Sequence, residues 1–142
     1  LSIKKTFIEK KYDINYILDT SVLVDEPDIV AKYFRNRAVI VHSIIQDELE
    51  ASRGSNINAV RAIRNINYIK NNPSKNMQYI SGVRHNADFT KSQKVRVFEE
   101  LIYQLNKEGK YPVIVTNEND YNLFDDNTAN IISLNHLPLL FN

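Results

Sequence analysis

The chain has 142 residues, the length of about one domain and enough to bury a core without cross-links. It has no cysteine, which excludes disulfides, thiolate metal sites and a cysteine nucleophile, and no apolar run reaches the ~18 residues of a membrane span. The net charge of +1 hides an uneven spread: residues 1–50 carry −2, residues 51–110 carry +7 and residues 111–142 carry −4. A basic middle between acidic ends points to nucleic acid, or to an acidic site assembled from distant segments. The plainer reading is a solvated helix face. Without a signal peptide, the expected location is cytoplasmic, with no membrane partner. The chain does not begin with methionine, so it can be a piece of something longer.

The first predicted element is a short buried strand, Asn15–Leu18, followed at once by Asp19. Pro27 opens a helical segment from Asp28 to Phe34. Ala38–Val41 is a second strand of uninterrupted apolar residues, the pattern of a parallel sheet covered on both faces. Ser43 is placed as the cap of a helix from about Ile44 to Arg53, with Gly54 as its stop. A second helix spans about Asn58 to Lys70, with Ile57, Val60, Ile63, Ile66 and Ile69 at helical spacing. Met77–Ile80 is a third strand. Thr90 or Ser92 caps a long helix to about Asn106, whose stripe is Val95, Phe98, Leu101, Ile102 and Leu105. Val113–Thr116 is the clearest later strand. A short helix from Tyr121 to about Asp126, a last strand from Ala129 to Leu134 and an apolar tail, Leu137–Phe141, complete the chain. The tail is expected to pack. Tyr68, Tyr79, Tyr103 and Tyr121 are expected to be core or half-buried.

Strands and helices alternate. The expectation is a single α/β domain over 1–142: a three-layer α/β/α sandwich with a mainly parallel sheet of about five strands. In such sheets the functional crevice lies beyond the carboxyl ends of the strands. Asp19, Glu118 and Asp120 follow strands, and Glu48 sits in the helix after the second strand. Taken singly, each can be a cap or a surface acid. As a set at matching sheet edges, they repel unless a cation lies between them, and oxygen ligands suit Mg²⁺ or Mn²⁺. His42 reads as a hydrogen-bonded core histidine rather than a base. No phosphate loop is present. A phosphoacceptor receiver domain would need a lysine after a late strand, and no Lys or Arg follows Lys110.

At these residues the chain resembles a PIN domain, a small metal-dependent nuclease fold, and within it the PIN domain N-terminal to PhoH-type ATPases. The matches are Tyr16 to Leu23 with Glu26-Pro27, Val39 to Val41 with Ile44 to Leu49, Asn58 to Arg64, and Val113 to Asp120. They keep the family's order across roughly residues 15–123. The resemblance implies divalent-metal-dependent endoribonuclease activity on single-stranded RNA. Asp19, Glu48, Glu118 and Asp120 would be catalytic and metal-binding, with Asp88 reaching in from a loop. Thr20, Ser21, Thr116 and Ser92 would support them. Two departures stand out: Glu118 replaces the usual aspartate, and Ser92 stands in the best register for the family's third acid.

Arg53, Arg61, Arg64, Lys91 and Lys94 would neutralise RNA phosphates. Lys91 and Lys94 flank Ser92, which brings positive charge near the site itself. The resemblance also allows a toxin-type PIN ribonuclease, a fused or associated ATPase and a homo-oligomer. The alternative of another class is a degenerate PIN domain that binds RNA or assembles without catalysis.

Overall fold

The computed structural model describes residues 13–74, 76–82, 92–118 and 130–141. Its centre is a five-stranded sheet in the order β3-β2-β1-β4-β5, with every pairing parallel. The strands are β1 (Ile14–Leu18), β2 (Ala38–His42), β3 (Met77–Ile80), β4 (Tyr111–Val115) and β5 (Asn130–Ile132). All five residues of β1 are buried, which is why its run is continuous rather than alternating. The chain steps outward from β1 to β2 and β3, then returns to the other side of β1 for β4. Right-handed crossovers therefore place helices on both faces, and the order reverses between β1 and β4. This is the expected α/β architecture.

Between the strands lie α1 (Thr20–Asp25), α2 (Ile29–Tyr33), α3 (Ser43–Ala51), α4 (Ile57–Asn71) and α5 (Gln93–Lys107). A single 3-10 turn, Leu134–His136, leads into the short α6 (Leu137–Leu140). The α5 stripe is buried as expected, and Ser92 is its cap, accepting from the Val95 N–H at 3.2 Å. The apolar tail packs: Leu137 is fully buried, and the Phe141 ring meets Tyr16 and Phe34 at centroid distances of 5.5 Å.

Several local expectations change. The short α1 is not among the elements read from the sequence; it starts directly on the Asp19 side chain, which accepts from the Thr20 N–H. His42, not Ser43, caps α3: its Nδ1 accepts from the Ile44 N–H, leaving Nε2–H to donate to the Gly82 carbonyl at 2.7 Å. This is a fully partnered core histidine. In α4 the buried face is Ala59, Ala62, Ile63, Ile66 and Ile69, and Ile57 lies 86% exposed. The small alanines let α4 sit close, and the stripe turns away before it reaches Ile57. Tyr68 and Tyr103 are exposed rather than core. The expected helix from Tyr121 to Asp126 lies outside the described residues.

Candidate functional site

Parallel pairing places Leu18 of β1 beside Val115 of β4. The next residues, Asp19 and Thr116, therefore leave the sheet side by side at the point where the strand order reverses. Asp19 is fully buried. Its N–H donates to the Val115 carbonyl, Oδ1 accepts from the Thr20 N–H at 2.8 Å, and Oδ2 accepts from the Thr116 hydroxyl at 2.6 Å. With its proton spent on Asp19, Thr116 Oγ1 accepts from the Glu118 N–H at 3.1 Å. Ser21 lies 3.2 Å from Thr116 Oγ1 and accepts from the Asn117 N–H at 2.9 Å. The Thr20 hydroxyl donates to Glu48 Oε1, joining α1 to α3. Thr20, Ser21 and Thr116 thus orient carboxylates and the loop after β4.

Three carboxylates from three elements meet at one point, and a lysine stands there. Lys94 Nζ lies 3.0 Å from Asp19 Oδ1, 3.2 Å from Glu48 Oε1 and 3.3 Å from Glu118 Oε1. An ammonium has three N–H donors, and each can be aimed at one acid. The Lys94 side chain is only 13% exposed. Burial acts most strongly and lowers its pKa, but the charges and hydrogen bonds of Asp19 and Glu48 outweigh it. Lys94 is held above the usual lysine value.

This corrects two expectations. Lys94 does not face solvent as a phosphate contact; it is turned into the acidic centre. Ser92 does not support that centre, because its hydroxyl is engaged by its own helix at the Val95 N–H. The residue of α5 that enters the site is two positions later. The signal lay in the stripe itself: Lys94, Phe98, Leu101 and Leu105 are four, three and four residues apart, so Lys94 continues the inward face.

A divalent ion does not fit these residues as arranged. The oxygens of Asp19, Glu48 and Glu118 that converge already face an ammonium, and a second cation among them would meet its repulsion. Among the described residues no group of three Asp, Glu or His could hold a metal. Asp88, Asp120 and Lys91 lie outside the described residues. Two of the three arginines expected on RNA sit in exposed ion pairs. Arg61 pairs with Asp28 at 2.6 Å and Arg53 with Glu50 at 3.2 Å. Arg64 is exposed on α4.

No family model matches this chain, and no curated protein matches it. Among solved structures it is similar to the PIN domain of human SMG5, with 13% identity and a TM-score of 0.52 over 84% of this chain and 92% of that one. The fold is therefore PIN-like. No helix among the described residues is long and apolar enough to cross a membrane.

Proposed function

We propose that this chain is a PIN-like domain that does not cleave: its acidic centre is closed by its own lysine, and it serves as an assembly module. The observation that carries this reading is Lys94, within 3.0–3.3 Å of all three converging carboxylates. A fused or associated ATPase, implied by the resemblance to the PhoH-linked branch, would be consistent with such a role.

A second reading is a metal-dependent endoribonuclease acting on single-stranded RNA with Mg²⁺ or Mn²⁺. One observation favours it: Asp19, Glu48 and Glu118 come from the residue after β1, from α3 and from the loop after β4, yet converge where the strand order reverses. It requires Lys94 to withdraw.

Thermal melting with and without Mn²⁺ separates the two, alongside cleavage of labelled single-stranded RNA. The wild type should show no Mn²⁺-dependent rise and no cleavage. In Lys94→Ala the acids lose their counter-ion, and Mn²⁺ should then raise the melting temperature. Saturation at a hundred times Kd is worth about 2.7 kcal/mol. Wild-type cleavage that Asp19→Asn abolishes would overturn the assembly reading in favour of the nuclease.

A further inference from the structure

Away from the acidic centre, a groove of about 300 Å³ runs between α2 and α4. Its walls are apolar: Leu23, Val30, Ala31, Ile66, Tyr68 and Met77 line it. One end is closed by a polar clamp. Arg61 reaches across from α4 to Asp28, and the Asn65 amide donates to the Pro27 carbonyl at 2.7 Å and to Asp28 Oδ1 at 3.2 Å. The clamp ties the two banks together, so the groove is preformed. A preformed groove lessens the ordering cost of binding.

The α4 bank carries a stripe of its own. Ile57, Arg61, Arg64 and Tyr68 recur at intervals of four, three and four, all on the exposed side of the helix. Ile57 is 86% and Tyr68 68% exposed. Tyrosine and arginine beside an apolar cleft are the residue types that dominate protein-binding hot spots. The uncompensated charge is positive. Arg35 lines the groove, and Arg64 shares the exposed side of α4 with the groove-lining Tyr68; neither has an ion-pair partner among the described residues, whereas the one acid lining the groove, Asp28, is taken by Arg61. Arg35 is held in place by its Nε–H on the Ala31 carbonyl at 2.9 Å.

We propose that this groove docks an acidic segment of a partner protein, with aliphatic side chains anchored between α2 and α4 and Asp or Glu facing Arg35 and Arg64. The inference rests on the assembly reading and names its partner by chemistry. Apart from Tyr68 and Arg35, the side chains lining the groove are mostly aliphatic, which suits the Leu, Ile or Val side chains of a peptide. The groove is small for a drug-sized ligand, at the bottom of the ~300–1,000 Å³ range, but suits anchor side chains.

The test is selection from a displayed random peptide library on the full chain, with subtraction against Ala31→Trp. Ala31 is exposed and lines the groove, so tryptophan fills it from the surface. Selected peptides should combine Leu, Ile or Val with Asp and Glu. A labelled selected peptide should bind Ala31→Trp about tenfold or more weaker by fluorescence anisotropy. Arg64→Glu, a surface change that spares the core, should weaken it similarly, with the largest difference at low salt. No enrichment, basic peptides, or equal binding to both variants would overturn the proposal. So would displacement of the peptide by single-stranded RNA, or an Ala31→Trp effect confined to self-association on size-exclusion chromatography. RNA cleavage and peptide binding are separate readouts, so a nuclease result would sink the non-cleaving reading and leave this groove to be judged on the peptide alone.

Discussion

Lys94 solves an electrostatic problem that burying Asp19 creates. A fully buried carboxylate is costly unless paired and hydrogen-bonded, and beside its hydroxyl and amide donors Asp19 has the Lys94 ammonium at 3.0 Å. Lys94→Met keeps the stem and removes the charge. It should cost about 1.5–3 kcal/mol by urea denaturation, the range for hydrogen bonds to charged groups. The pH dependence has a definite sign. Burial lowers the Lys94 pKa, Asp19 and Glu48 raise it more, and the net shift is upward. A group whose pKa rises on folding contributes fully below its unfolded value and loses that contribution as pH passes the folded one. The gap between wild type and Lys94→Met should therefore stay flat through neutral pH on the lysine's account. It should narrow only above the usual lysine value of 10.5. A gap that closes between about pH 7 and 9 would contradict the raised pKa.

At the scale of elements, the register of α5 decides which side chain enters the site. The apolar stripe was legible from Val95 onward because Leu, Ile, Val and Phe mark a buried face without ambiguity. Lys94 was legible as a cation near the site but not as the partner of its carboxylates, because a lysine at a helix start normally reads as surface. Strand ends were legible for the opposite reason: Asp19 and Thr116 directly follow continuous apolar runs, and a parallel sheet carries such residues to one edge. The α1 helix was hidden because its six residues carry too little periodicity to distinguish helix from loop. Register makes a sharp prediction. Ser92→Asp keeps a good cap, since aspartate and serine are about equal there, and it should leave the protein without Mn²⁺ affinity. Lys94→Glu adds a fourth carboxylate on the inward face. It should melt lower than wild type in metal-free buffer and recover with Mn²⁺. A Mn²⁺-dependent rise in Ser92→Asp and none in Lys94→Glu would mean that the register of α5 is wrong by two residues, about half a turn.

For the whole molecule, β1 is the common element, joining the acidic centre at its carboxyl end to an aromatic cluster along its length. Tyr16 of β1 meets the Phe34 ring at a centroid distance of 5.0 Å and the Phe141 ring at 5.5 Å, and the Arg37 guanidinium lies 3.7 Å from the Phe141 ring centre. The chain's tail is thereby stitched to its first described strand. That long-range closure could be foreseen only as an apolar run needing a partner, since nothing local to Leu137–Phe141 names Tyr16. Phe141→Ala should cost about 3–5 kcal/mol, the range for emptying a buried phenylalanine site. The Phe141 contacts with Tyr16, Phe34 and Arg37 share no residue with the Lys94 contacts to Asp19, Glu48 and Glu118. In a double-mutant cycle, Phe141→Ala and Lys94→Met should therefore add within about 0.5 kcal/mol. A coupling well above that would mean that β1 shifts along its length when either end is released, making the aromatic cluster a determinant of how the carboxylates meet.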